Sequence, residues 1–287
     1  MPDPYYQDIE NVILPPLSEE QAAQRAMVSG KKVVRKSGRY WIARAPGFYE
    51  PLHWLACMTV GQAKRPTVIC WGYRCSLRQQ DVSHANGYMP IHLLDRLEDY
   101  DLATLPSKRR NQLRKARKTT AIVQLLHPEP LIQQGYAILR SANLRTGYGK
   151  VPTAETYVHN IQRQFANGHN ITLAALIGEE IGGYMVVSAV ADTMYIDTVL
   201  LATEHLSTNL GTALAYEVAQ VARRSAGVNK VVYGLHSREA EQLSKFKEGM
   251  GFGVHKWPVR YDINPLALSV LRKNCPDKLY RLTGLSC

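Results

Sequence analysis

Residues 171–235 read ITLAALIGEEIGGYMVVSAVADTMYIDTVLLATEHLSTNLGTALAYEVAQVARRSAGVNKVVYGL. Two apolar runs, Ile171–Ile177 and Ile181–Val190, flank Gly178-Glu179-Glu180, which predicts a hairpin with its glycine in the loop. A third run, Met194–Leu201, pairs back after the Asp192-Thr193 turn. The chain then enters a helix around His205–Leu214, with Leu210, Ala213, Leu214, Val218 and Val221 on one stripe and a stop near Gly227. That helix crosses over to a buried strand, Val231–Leu235, so the strands on either side of it are expected to be parallel.

On the C-terminal side, Arg238–Met250 reads as a helix closing on Gly249-Met250-Gly251-Phe252. Val254–Tyr261 reads as a last strand, and Pro258 within it predicts an edge position. On the N-terminal side, Leu131, Gly135, Ile138, Leu139 and Ala142 keep the helical period in a helix running from Pro130 to about Tyr148. Val158, Ile161 and Phe165 keep it again after a Thr153 cap. Further upstream lies Leu105–Lys118, with seven basic residues and no acid. Pro106 suits its first turn, and only Leu113 and Ala116 offer an apolar face.

The first 127 residues are of a different kind. A helix capped by Ser18 follows Pro15-Pro16, with Glu19 and Glu20 in its first turn. Val33-Val34, Tyr40–Ala43, Trp54–Val60 and Val68–Trp71 then read as short strands punctuated by Gly38, Pro46-Gly47, Gly61 and Pro66. Tyr73–Asp101 carries no decisive pattern. The expected organisation is an arm at 1–30, a smaller β-rich region at 31–127 ending in the basic helix, a core at 128–264 and a tail at 265–287. The fold class is α+β, a mixed, mostly antiparallel sheet flanked by helices.

Composition narrows the partners. Thirty-five Lys and Arg against 24 Asp and Glu leave a net charge of +11, which favours phosphate-bearing ligands such as cofactor phosphates, tRNA or lipid. No apolar run is long enough to span a bilayer, and the start, Met1–Asp8, has neither the basic nor the apolar part of a secretory signal. A cytoplasmic protein is expected. Cys57, Cys70, Cys75, Cys275 and Cys287 are an odd number without metal-ligand spacing and read as free thiols, and the histidines are scattered, so no metal is expected.

The order helix, helix, three-strand meander, crossover helix, strand, helix, strand resembles the acyl-transfer core of the Gcn5-related N-acetyltransferase (GNAT) superfamily. Two stretches narrow the resemblance toward its FemAB-like branch. Leu105–Lys118 looks like that branch's LPxxxRxxxRKAxK segment, and Phe246-Lys247-Glu248-Gly249-Met250-Gly251-Phe252 looks like its FKxxxGF ending. The resemblance implies an opening between the third meander strand and the next, bordered by Val199 and Leu201, that takes the arm of acyl-CoA. Cofactor pyrophosphate would then lie on the N-terminus of the crossover helix at Asn209, Leu210, Gly211 and Thr212, where amides and the helix dipole attract an anion. The family's Q/RxxGxG/A pattern is only partly present: Gly211 keeps the second glycine, Asn209 replaces the first, and Leu206 replaces the basic or amide residue. An ordinary N-cap at Ser207-Thr208-Asn209 is the other reading of the same residues.

Amine acylation needs a proton acceptor and an acid for the leaving group. Asp197 and Glu204 match positions where the family carries a carboxylate base, although Asp197 also suits the polar side of its strand. His236 follows the strand Val231–Leu235 at its carboxyl end, where open sheets place ligands. Lys247 stands where the family's usual acid, a Tyr, is found, and it also reads as a solvated helix residue. These readings give three functions: an N-acyltransferase taking acetyl-CoA or another acyl-CoA to a small-molecule or peptide amine, an aminoacyl-tRNA-dependent transferase gripping tRNA through Arg109–Lys118, or a GNAT-fold binding protein without catalysis. The basic run also reads as a plain solvated face.

Overall fold

The computed structural model describes residues 4–147, 149–166 and 168–285. In chain order, β1 (Tyr6–Asp8) and α1 (Glu19–Val28) precede β2 (Val33–Lys36), β3 (Arg39–Ala45), β4 (Phe48–Pro51), β5 (Gly72–Ser76) and β6 (Gly87–Leu94). Then come α2 (Ser107–Ala116), β7 (Ala121–Leu125), α3 (Glu129–Thr146), α4 (Ala154–Ala166), β8 (Asn170–Ile177), β9 (Glu180–Val190) and β10 (Thr193–Leu201). The chain ends with α5 (Leu210–Arg224), β11 (Lys230–Leu235), α6 (Glu241–Gly249), β12 (Gly253–Ile263), α7 (Pro265–Asn274) and α8 (Pro276–Thr283). The class is α+β, with mixed, mostly antiparallel pairing and flanking helices.

Two compact units are built from interleaved pieces. The first takes Met1–Pro16, Leu94–Tyr233 and Gly249–Phe252; the second takes Leu17–Leu93, Gly234–Glu248 and Gly253–Cys287.

In the first unit the strand order is β1-β7-β8-β9-β10-β11. The expected hairpin joins β8 and β9, with Gly178 at φ 61, and β10 pairs back antiparallel on β9. β10 and β11 are parallel, as the helical crossover requires. Leu131 and Ile138 of α3 and Tyr157 and Ile161 of α4 pack on Ala174, Ile181, Tyr184 and Val186, so the period-3.6 stripes meet one face of a period-2 surface. The stripe of α5 is wholly buried, with Leu210, Leu214, Val218 and Val221 at zero exposure. On α2 only Leu113 and Ala116 are buried, as the sequence predicts. The predicted end of α3 at Tyr148 lies outside the described residues.

The second unit orders its strands β6-β12-β5-β4-β3-β2. Ser18 caps α1 in a full capping box with Gln21. Two predicted strands are absent: Trp54–Val60 and Val68–Trp71 are irregular. In the former, Leu55, Ala56 and Met58 are buried without ladder pairing beyond a bridge between Met58 and Leu77, so their apolar character reflects core filling. In the latter, Val68 and Ile69 stand in solvent, and the strand starts at Gly72. The unreadable stretch contains β5, a 3-10 helix at Gln79–His84, and β6.

Pro258 also misleads, because β12 is an inner strand paired with both β5 and β6. Its first half, Gly253–Val259, pairs with β6, and its second half, Val259–Ile263, pairs with β5. Pro258 sits at the handover, just before the β5 pairing begins, so its missing N–H interrupts neither ladder's length. A core of Trp41, Tyr49, Met58, Tyr73, Cys75 and Leu77 lies in this unit. Beside it, the buried Arg74 guanidinium bonds Glu50, and its other nitrogen donates to the Arg281 carbonyl of α8 at 2.7 Å. Segment 265–287 therefore contains two helices, one of which is tied to the sheet.

Candidate functional site

The first unit holds the candidate donor-binding residues. β10 matches β11 only over Thr193–Tyr195 against Lys230–Val232, whereas it follows β9 all the way to Leu201. The β9 register shifts between Ile196 and Thr198, so Asp197 forms a bulge and stands exposed. Val199 and Leu201 are half-buried beyond the last β11 pair. A bulge followed by lost pairing is what bends a strand away from its neighbour.

After β10 comes a 3-10 turn, Thr203–Thr208, and then Asn209 in the left-handed region (φ 62, ψ 26), which turns the chain into α5. Asparagine tolerates that conformation better than most residues, so the turn forms here without a glycine. The side chain of Asn209 does not cap the helix; it donates to the Ser207 carbonyl at 3.3 Å. Leu210, Gly211 and Thr212 are buried. A Cβ at Gly211 would meet Leu201 Cδ1 at 2.8 Å, so strand packing is sufficient reason for glycine there. Leu206 is 38% exposed and offers no polar group to an anion.

Glu204 lies in the 3-10 turn. Its own backbone amide and then the Ser141 hydroxyl, which donates at 3.0 Å, hold its carboxyl below the usual range. Ser141 also accepts from Thr203 N–H, and Arg145 donates to the Leu201 carbonyl and the Thr203 hydroxyl. This network ties α3 to the end of β10, and a carboxylate so stabilised is a weak base.

The basic helix α2 is also in this unit. Lys108, Arg114, Lys115 and Lys118 are exposed. Arg117 is engaged, paired with Glu217 at 3.2 Å and lying over the Tyr216 ring, and Arg110 donates to the Leu105 carbonyl at 2.8 Å. Arg109 is half-buried, with a guanidinium nitrogen 2.8 Å from where a Gly249 Cβ would be.

The second unit gathers a different set. Gly234 (φ 76) and Leu235 end β11, and His236 follows, its N–H donating to the Pro90 carbonyl at 2.9 Å. His236 Nδ1 is 3.0 Å from the Tyr280 hydroxyl on α8, and the buried His92 ring is 5.5 Å away between centroids. Arg238 stacks over Tyr280 at 3.7 Å, and Arg281 bonds both Ser237 and Glu239. Burial is the main cause holding the imidazole below its ordinary pKa, with Lys247 and Arg238 acting the same way and Glu248 and Glu239 opposing. Lys247 is buried on α6 and is not the solvated helix residue that its charge suggests. Its Nζ lies 3.8 Å from the Gly234 Cβ position, and desolvation lowers its pKa from 10.5 to about 8.

His236 and Lys247 thus share the second unit with Tyr280 and His92, while Asp197, Glu204 and Asn209–Thr212 belong to the first. Sequence reasoning missed Tyr280 and His92. Tyr280 lies in the segment read as a tail, and His92 sits in the stretch without pattern; no local signal marks either one. Among the described residues no group of three or more His, Cys, Asp or Glu is placed to hold a metal ion, and no helix is long and apolar enough to cross a membrane.

No protein-family model matches the chain, and no curated protein sequence matches it. Solved structures do. The C-terminal DUF2156 domain of a putative lysylphosphatidylglycerol synthetase from Agrobacterium fabrum aligns with a TM-score of 0.59 at 12% identity, covering 93% of this chain and 98% of that one. FemX aligns with the same TM-score at 8% identity, covering 88% and 93%. A tandem GNAT protein from the clavulanic acid biosynthesis pathway aligns at 12% identity and TM-score 0.48, covering 90% and 97%. At these identities the likeness is one of fold. The chain shares the fold of the DUF2156 domain and of FemX.

Proposed function

We propose that the chain is a transferase of the FemAB-like branch in which an acceptor amine attacks an activated acyl carbonyl directly. The new amide C–N bond forms as the ester bond to the donor breaks; the ammonium proton passes to a base and the donor oxygen leaves protonated. The neutral imidazole of His236 suits the base, since its lowered pKa leaves it unprotonated at pH 7. Lys247, with a pKa near 8, suits proton donation to the leaving oxygen. Glu204 is a poor base because its charged form is already stabilised.

The donor favoured is aminoacyl-tRNA, and Gly211 is the observation that carries this choice. Its lack of a side chain is accounted for by Leu201, and Leu206 stands where a phosphate ligand would be needed, so the first turn of α5 retains little reason to hold pyrophosphate. The exposed cations of α2 and its C-terminal end, Lys108, Arg114, Lys115 and Lys118, suit a tRNA backbone. Likeness in fold to FemX over 88% of the chain supports the same reading.

Acyl-CoA is the second reading, favoured by the short β10–β11 pairing and by the start of a 15-residue helix immediately after β10 and its turn. One pair of measurements separates the two: binding of labelled tRNA across a salt series, and melting with acetyl-CoA and longer acyl-CoAs. The favoured reading expects tRNA binding that weakens steeply with salt and falls when Lys108, Arg114, Lys115 and Lys118 become Ala. A melting point raised by acyl-CoA, together with no tRNA shift at low salt, would overturn it. Ligand binding without turnover on any amine would leave a binding protein in its place.

A further inference from the structure

Several features of the second unit lie apart in sequence from the residues to which the transfer chemistry is assigned. Val68 is 101% exposed and Ile69 88%, although both are aliphatic and adjacent. The backbone of Asn264 ties this loop to the start of α7, its N–H donating to the Trp71 carbonyl at 2.7 Å. Two residues further on, α7 presents Leu266 at 79% and Val270 at 58% exposure, one turn apart on the same side, and no residue of that helix is buried. The loop borders an open, mostly apolar hollow of about 970 Å³, with Trp71, Pro46, Ala43, Asn264 and Lys32 among its lining residues. Soluble surfaces rarely leave aliphatic side chains so fully exposed and so close together without a partner.

Charge says which partner. The three segments that carry the patch, 31–49, 61–72 and 262–274, contain ten Lys and Arg and a single acid, Asp262; Arg65 is paired with Asp262 at 2.8 Å, Arg39 with Glu19 and Arg44 with Glu50, and the remaining cations lie mostly in solvent. Lys31, Lys32, Lys64, Arg272 and Lys273 on these segments are exposed. An apolar protrusion accompanied by so many cations is complementary to a bilayer surface of negative charge: aliphatic side chains enter the acyl boundary and the cations meet the headgroups. We propose that the Val68–Ile69 loop and α7 form a docking surface for an anionic lipid membrane, on which the chain sits peripherally without spanning it. The surface is independent of the acyl donor and of the transfer reaction, so its failure and that of the proposed function are read in separate assays.

The test is co-sedimentation of the full chain with phosphatidylcholine vesicles, with and without phosphatidylglycerol. Binding is expected only to the vesicles containing phosphatidylglycerol, weakening as salt rises. Ile69→Asp and Leu266→Asp are each expected to weaken it by more than about tenfold, from the lost aliphatic burial alone. Arg272→Ala and Lys273→Ala are each expected to weaken it about fivefold. All four positions are exposed, and an unchanged melting point shows that the variants fold. Equal sedimentation of the wild type and the Asp variants, or no binding to phosphatidylglycerol vesicles at low salt, overturns the proposal. So does a dimer in sedimentation velocity that Leu266→Asp converts to a monomer while vesicles leave the wild type in solution, because the patch then belongs to a second copy.

Discussion

Replacing Lys247 by Met should make the protein more stable at neutral pH. Lys247 is 7% exposed, and burial lowers its pKa from 10.5 to about 8. Each tenfold change in proton affinity corresponds to about 1.4 kcal/mol, so holding the charged form in the native state costs at most about 3.5 kcal/mol. The sign follows from proton counts. Between pH 8 and 10.5 the unfolded chain keeps the proton that the native chain has released, so native stability rises with pH through that window. Below pH 8 both states are protonated and the full penalty applies. Met has a similar length and no charge, so Lys247→Met should exceed the wild type by up to about 3.5 kcal/mol at pH 7, and the two should converge near pH 10.5. Urea unfolding of both proteins across pH 7 to 10.5 measures this. The difference between them is the quantity to follow, because buried thiols and phenols titrate in the same range and cancel in it. A variant no more stable than the wild type at pH 7, or a difference that does not shrink with pH, would refute the reasoning. The same variant should lose acyl transfer if Lys247 supplies the leaving-group proton.

Other expectations are more local. Tyr280→Phe removes the hydroxyl 3.0 Å from His236 Nδ1; kcat/KM should fall about tenfold and the acid limb of the pH profile should move to lower pH, since an imidazolium loses an acceptor. An unmoved profile would restrict Tyr280 to packing. Gly183→Ala puts a Cβ within 2.8 Å of the Leu200 carbonyl and 2.9 Å of the Leu201 and Leu210 side chains, and should cost about 1–3 kcal/mol in denaturant unfolding. Burial pushes the Cys75 thiol up to about 12, so iodoacetamide at pH 8 should leave it unmodified until urea unfolds the chain, as mass spectrometry of its peptide would show.

The parts of the fold that were legible in the sequence are those where periodicity and caps agree. Leu210 to Val221 keep one stripe, Ser18 caps α1, and Leu113 and Ala116 are the two buried residues of α2. Where apolar character has another cause, the reading fails. Trp54–Val60 contributes to a core with a single bridge, Met58 to Leu77, in place of a strand ladder, Val68-Ile69 faces solvent, and Pro258 is tolerated inside the sheet because β12 changes partners at that point. The candidate site was legible only one residue at a time. Asp197, Glu204, His236 and Lys247 can be picked out along the chain, but the burial of Lys247 and the approach of Tyr280 depend on contacts between segments far apart in sequence, which no local pattern encodes.

The handover within β12 has a consequence for synthesis. β5 and β6 have no shared neighbour until residues 253–263 arrive, because β12 alone pairs with both. On a ribosome, the first five strands of the second unit therefore emerge long before the one that joins them, and they wait while most of the first unit is made. During that interval β5 carries an open edge with buried-type residues such as Tyr73 and Cys75. Closing the sheet must then be a late, long-range event, and a chain truncated between β6 and Gly253 would be left with two unjoined edges and a tendency to aggregate.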